Sequence, residues 1–202
     1  MQSLRPSAAS KTGRGCLLLF GLFWTAFSVF WTIMARKGGG GLMWLFGLPF
    51  ILIGVGLLAS ALWRTIAAVR VGPPKISISK AILCPGETFG VIYEQSFRTP
   101  VDLYDSKVEL VFRESATYTQ GTDTRTDTYE QVLESFDGPA GHFAAGQTAR
   151  QDGSMTIPET GMHTFIAQNN KLQWFVRVNV DVQGWPNMVE EYELTVSPER
   201  WL

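Results

Sequence analysis

His142, His163, Cys16 and Cys84 are the residues of this chain with the most chemistry in them, and their surroundings supply little of what that chemistry needs. The two cysteines sit far apart, one at the border of an apolar run and one at the end of a strand pattern. No Cys-x-x-Cys or Cys/His cluster accompanies them, so neither a disulfide scaffold nor a zinc site is implied. Cys84 reads as a small buried apolar residue. His142 lies in a Gly/Ala stretch and His163 in Gly161-Met162-His163-Thr164. A serine nucleophile would show as a G-x-S-x-G elbow, and there is none. Asp102 and Asp105, in Val101-Asp102-Leu103-Tyr104-Asp105-Ser106, would contribute to a cation site or, more simply, cap turns. Glu190, Glu191 and Glu193 read as a solvated strand edge that resists aggregation. Gly38–Gly41 has the composition of a phosphate loop but neither a preceding strand nor a following Lys-Ser/Thr. The reading is of a protein that is not an enzyme, with no catalytic, cofactor-binding or metal residues assigned, and no small-molecule substrate indicated.

The elements that carry these residues differ sharply in charge. All 18 acidic residues lie at Glu87 or later, with eight of the 17 basic ones, a balance of 8 − 18 = −10. Residues 1–86 hold only basic charge: Arg5, Lys11, Arg14, Arg36, Lys37, Arg64, Arg70, Lys75 and Lys80. A basic membrane anchor followed by an acidic water-soluble domain accounts for that split. The acidic domain excludes nucleic acid, whose phosphates select basic patches.

Two apolar runs, Cys16–Ala35 and Leu42–Ala68, each reach the roughly 20 residues that cross a bilayer as a helix. The first is too long and too aromatic for a signal peptide. The loop between them holds no domain, so residues 16–70 form a two-helix transmembrane hairpin behind a basic tail, 1–15. Such a tail is expected to lack fixed structure in isolation. Lys and Arg outnumber those of the loop at both outer ends, which places both termini in the cytoplasm. The resulting expectation is a two-pass protein of the cell inner (plasma) membrane with a cytoplasmic domain. Neither apolar core holds an ionisable residue, so an ion or proton pathway is not indicated.

Phe20, Phe23, Trp24, Phe27, Phe30 and Trp31 recur at spacings that put them on one broad helix face. That face would meet lipid, another membrane protein or a flat apolar cofactor. Gly47, Gly54, Gly56 and Ser60 are small residues that allow close helix packing. Pro49 is a candidate kink.

From Val71-Gly72-Pro73-Pro74 onward the pattern changes to period two. Leu172, Trp174, Val176, Val178, Val180 and Val182 alternate with Gln173, Phe175, Arg177, Asn179 and Asp181, predicting a long half-buried strand. Gly184-Trp185-Pro186-Asn187 is turn chemistry, and Tyr192, Leu194 and Val196 belong to the returning strand. Earlier strands are expected around Ile76–Ile82, Phe89–Tyr93 and Val108–Tyr118. An exposed strand follows at Thr122–Thr128; Tyr129–Phe136 fits strand or helix. Short strands between turns predict an all-β antiparallel sandwich of the immunoglobulin/arrestin-like kind over residues 73–202.

Met155-Thr156-Ile157-Pro158, Leu172 to Val178, Gly184 to Asn187 and Tyr192 to Val196 with Ser197-Pro198 resemble the late strands of arrestin-like sandwich domains. The resemblance covers the last third of the chain. It implies a fold whose members bind other proteins and generally are not catalytic. The chain departs from the family plan in having one sandwich and an N-terminal hairpin. The function expected from these readings is a non-catalytic accessory or structural subunit of a larger integral membrane complex, respiratory or photosynthetic among the possible hosts. Its partners would be integral membrane protein subunits and the lipid bilayer. The alternative is a freestanding membrane-tethered protein-binding adaptor or sensor that captures peptides on a sheet edge.

Overall fold

A computed structural model describes residues 1–39 and 41–198, with the backbone alone described for residues 8–15, 64 and 67–70. Gly40 of the expected loop, and the side chains of Lys11, Arg14, Arg64 and Arg70 that enter the orientation argument, lie outside the described residues. The chain divides into two compact units, Ala8–Val69 and a second made of Met1–Ser7 with Arg70–Leu202.

The first unit holds α1 (Ala8–Lys37), a 3-10 turn (Gly41–Phe46) and most of α2 (Gly47–Val71). Cys16–Lys37 and Gly41–Trp63 are long and apolar enough to cross a membrane, by length and composition. Arg36 and Lys37 close the last turn of α1, where the helix carbonyls favour cations. Pro49 does not kink α2. It falls in the first turn, where backbone N–H groups have no helical partner to lose. Gly72 follows α2 with φ +69°, the left-handed conformation that glycine adopts at a helix end.

The second unit is a sandwich-like β domain. One sheet is ordered β1 (Gln2–Ser3), β2 (Lys75–Ile78), β4 (Thr88–Ser96), β8 (Thr148–Thr156). The other is ordered β3 (Ile82–Leu83), β11 (Met188–Val196), β10 (Asn170–Val182), β5 (Val101–Gln120), β6 (Asp123–Asp137). Two short strands extend the second sheet: β7 (Gly141–Phe143) beside β5, and β9 (Phe165–Ile166) beside β10. The pairing is antiparallel except that β3 runs parallel to β11. The expected purely antiparallel sandwich is therefore a mixed one, because the chain crosses from one sheet to the other between Ile78 and Ile82. Tyr129–Phe136 is strand, paired along β5 with a bulge opposite Leu110/Val111.

The core lies where the alternation predicts. Trp174, Val176, Val178, Tyr192 and Leu194 from β10 and β11 are buried with Val108 and Leu110 from β5, and Phe89, Val91 and Tyr93 from β4. The Trp174 ring lies 4.9 Å from that of Phe112, and its indole N–H donates to the Met162 carbonyl at 2.8 Å. Burying that N–H without an acceptor would be costly.

The tail expected over residues 1–15 divides in two. Residues 8–15 begin α1, while the first seven residues are built into the β domain. Gln2 and Ser3 pair with Ile78 and Ser77, and the Leu4 amide donates to the Ile76 carbonyl. Pro6 bridges Tyr192, and the Ser7 amide donates to the Glu191 carbonyl at 2.7 Å. The unpaired edge of β2 is the reason: its donors and acceptors hold an extended segment that has no core of its own.

Candidate functional site

The hairpin packs along one seam of small residues. A Cβ added to Gly54 would lie 3.1 Å from Thr25 Cα, one at Gly47 would lie 3.1 Å from Thr32 Cβ, and one at Gly21 would lie 3.1 Å from Leu58 Cδ2. Gly47 and Gly54 thus face α1. Gly56 and Ser60 do not belong to the seam: Gly56 opens on empty space, and exposed Ser60 returns its hydroxyl to the Leu57 carbonyl. On α1 the seam is Gly21, Thr25, Ser28 and Thr32, a run hidden in the sequence because three of its members are polar. Each hydroxyl donates to the carbonyl four residues earlier, at 2.7–2.8 Å, which satisfies it within the helix.

The aromatic face of α1 borders this seam. Trp24 and Trp31 are half-buried within the hairpin. The Trp24 indole N–H donates to the Phe50 carbonyl at 3.1 Å, and Trp31 meets Phe46 edge-on with centroids 6.5 Å apart. An indole N–H in apolar surroundings requires an acceptor, and α2 provides it. Phe20, Phe23, Phe27 and Phe30 point outward, Phe23 being 69% exposed. Trp24, Phe27 and Trp31 face Phe46 and Phe50 across an apolar cleft of about 230 Å³ that Ser28 and Gly47 also line. Phe46 and Phe50 were not among the residues expected to form this surface. Their signal, aromatic residues flanking Gly47, is visible only once the antiparallel pairing of the helices is known.

The candidate chemical residues are placed apart. His142 Nδ1 is 2.7 Å from Asp102 Oδ1 on an exposed surface. Asp102 and Asp105 sit within β5 rather than in a turn; a bulge at Tyr104 leaves both on the exposed face, and Asp102 is engaged by His142. His163 is exposed and Cys84 buried. Among the described residues no three His, Cys, Asp or Glu side chains assemble as metal ligands.

The acidic cluster on β11 is not a solvated edge, because β10 pairs with it on one side and Pro6 and Ser7 reach Tyr192 and Glu191 on the other. Glu190 is buried, Glu193 accepts from Gln173 at 2.9 Å, and Glu191 belongs to a closed ring of charge. In that ring Arg113 contacts Glu130 at 2.5 Å and Glu191 at 2.7 Å, and Arg177 contacts Glu130 at 2.5 Å and Glu191 at 2.7 Å. The Arg177 hydrogen bond holds the Glu130 carboxyl below its usual range, against an opposing effect of burial and with help from Arg113. For Arg177 burial works against the charge, but the bonds to Glu130 and Glu191 outweigh it and raise its pKa.

A second buried polar group ties down the segment after α2. The Gln95 side-chain amide donates to the Val71 carbonyl at 2.7 Å and the Gly72 carbonyl at 2.9 Å, and its oxygen accepts from the Tyr93 hydroxyl at 3.3 Å. The Tyr192 hydroxyl donates to the Pro74 carbonyl. Burial pushes both phenols up; a Ser106 bond partly offsets this for Tyr93, and Glu190 and Tyr93 add to it for Tyr192.

No protein-family model matches the chain, and no curated protein does. Among solved structures it is similar to Spo0M, a sporulation control protein from Bacillus subtilis, at 16% identity and a TM-score of 0.48. The match covers 64% of this chain and 51% of that one, so the chain spans about half the length of that protein. The likeness is weak and concerns fold alone.

Proposed function

We propose that the protein is a non-catalytic accessory subunit of a larger integral membrane complex. In this reading α1 and α2 insert as a two-pass anchor in the cell inner membrane, and the acidic sandwich lies on the cytoplasmic side. The observation that carries the reading is the aromatic cleft lined by Trp24, Phe27, Trp31, Phe46 and Phe50, continuous with the outward phenylalanines of α1. Helices in lipid associate by close packing, since lipid tails are as apolar as leucine. The hairpin spends its small-residue seam on itself and leaves a shaped aromatic surface unfilled. That surface offers a partner helix the shape complementarity that association in lipid needs.

The test is a joint replacement of Phe23, Phe27 and Phe30 by Leu, which preserves membrane insertion and changes the shape of the surface. The expected result is a protein that stays in the membrane fraction and no longer copurifies in mild detergent with the subunits the wild type brings down. Copurification equal to that of the wild type would mean that the face meets only lipid, and the reading would fall.

A further inference from the structure

The sheet order ends at β6, and the outer edge of that strand carries no neighbouring strand among the described residues. Its C-terminal part is occupied: the Thr156 amide donates to Glu134 at 2.9 Å, and Phe136 lies against Gly153. The stretch from Asp123 to Val132 is exposed throughout. Exposed edges are usually defended by charged side chains, proline or a bulge. This stretch has no proline, its bulge begins only at Val132, and its charges at Arg125 and Asp127 are of opposite sign, so a second copy can pair them.

Within the β domain the same stretch lies at the opposite end of β5 from Val101. Gln95, which holds Val71 and Gly72, is followed closely by Phe97, whose ring stacks on Phe143 at 4.6 Å. Phe143 pairs with Val101, the first residue of β5. From there β5 runs its 20 residues to the turn at Gly121. At about 3.3 Å per residue the β5–β6 tip stands roughly 60 Å along the sheet from Val101.

The sequence of the free edge is complementary to itself. Thr122-Asp123-Thr124-Arg125-Thr126-Asp127-Thr128 reads the same in both directions. Two antiparallel copies centred on Thr126 set Arg125 of each copy opposite Asp127 of the other. Thr124 then faces Thr128 and Thr126 faces itself. Opposite charges directly across a strand pair stabilise it, and like charges oppose it. A register centred on Arg125 sets that cation against itself, and one centred on Asp127 does the same for the anion; one centred on Thr124 sets Arg125 opposite Asp123 but runs into the turn at Gly121, so only three residues of the strand pair. Asp127 already accepts from the Tyr118 hydroxyl at 2.9 Å, but an ionised carboxylate has acceptor sites for a guanidinium as well.

We propose that this edge joins two copies of the chain, β6 to β6 in antiparallel register about Thr126, as a two-fold symmetric dimer contact. The proposal goes beyond the hairpin docking reading and does not depend on it.

The experiment uses the full chain in mild detergent, with Cys16→Ser and Cys84→Ala as background. Under mild oxidation Thr126→Cys is expected to give a disulfide-linked dimer. Thr128→Cys is expected not to, because in this register its two copies are roughly 13 Å apart. Arg125→Asp and Asp127→Arg should each weaken dimerisation about tenfold or more, measured by sedimentation, and the two together should restore it. Unchanged circular dichroism and unfolding midpoints show that the variants fold. A chain that stays monomeric at all concentrations, whether because the edge takes another protein's strand or none, overturns the proposal. So does a dimer indifferent to both single swaps, or one linked as readily through Thr128→Cys as through Thr126→Cys.

Discussion

The guanidinium of Arg113 lies 4.4 Å from the centroid of the Phe175 ring. Phe175 alternates with Trp174 and so faces away from the core, yet it is 2% exposed against 1% for Trp174. The cation covers the ring, and Glu130 and Glu191 hold the cation in place. An aromatic on the outer face of the sheet is thereby buried without a third layer of structure.

Arg113→Ala removes the stacked cation and leaves Glu130 and Glu191 with Arg177 alone among the ring's cations. The expected loss is about 2 kcal/mol, combining a partly desolvated cation–π contact with charge-assisted hydrogen bonds. Arg113→Lys keeps the charge but not the planar fork, and should recover only part of it. Urea unfolding followed by tryptophan fluorescence measures both; equal stability of all three proteins would show that the contact contributes nothing.

Trp174→Ala should cost roughly 3–5 kcal/mol, as expected for a packed core aromatic. The substitution also leaves the Met162 carbonyl without its indole donor. A loss below about 1 kcal/mol, read from the same unfolding curves, would mean that the site is not tightly packed.

Stability should fall on both sides of neutrality. The Glu130 carboxyl is held low by the bond from Arg177, so its contribution is complete above the ordinary carboxylate pKa of about 4.3. It is lost as the pH falls through that value toward the folded-state pKa. The Tyr93 and Tyr192 hydroxyls are held high by burial, so their contribution is complete below about pH 10 and is lost as the pH rises beyond it. Glu130→Gln should flatten the acid limb, and Tyr192→Phe the alkaline limb, in urea midpoints plotted against pH.

Gly54→Val would place its Cβ 3.1 Å from the Thr25 Cα, a backbone atom that cannot move aside cheaply. The hairpin should lose stability in a detergent-denaturation series. Gly56→Ala meets nothing within 4 Å and should be neutral or stabilising by up to about 1 kcal/mol through helix propensity. Equal effects at the two positions would place the seam elsewhere.

Reporter fusions test the orientation. Activity of a cytoplasmic reporter at Leu202 and of an exported reporter within Gly38–Gly41 is expected; the reverse pattern would put the sandwich outside the cytoplasm.

The sequence makes period visible and leaves partnership hidden. Strict alternation from Leu172 to Val182 places Trp174 and Val176 in the core correctly, because one buried face is enough to generate it. It does not reveal that Phe175 is buried too, since the residues covering it come from β5, β6 and β11. The aromatic run of α1 is plain as a helical face. Its division into inward tryptophans and outward phenylalanines depends on which α2 carbonyl and rings stand opposite. Gly47 and Gly54 lie on the seam while Gly56 and Ser60 do not, because spacing identifies a helix face without saying which face meets the neighbour. Residues 1–7 carry no periodic signal, being too short to show one; their strand exists because β2 offers an edge.

That short strand sets an order on biosynthesis. Gln2 and Ser3 have no partner until β2 is synthesised, and Ser7 cannot reach Glu191 until β11 is. At the usual pace of translation the wait is roughly 10–40 s. During that interval the segment ahead of α1 is bare backbone, open to processing enzymes and chaperones. Closure of this strand is therefore a late event, and resistance of residues 1–7 to proteolysis would report that synthesis and folding of the β domain are complete.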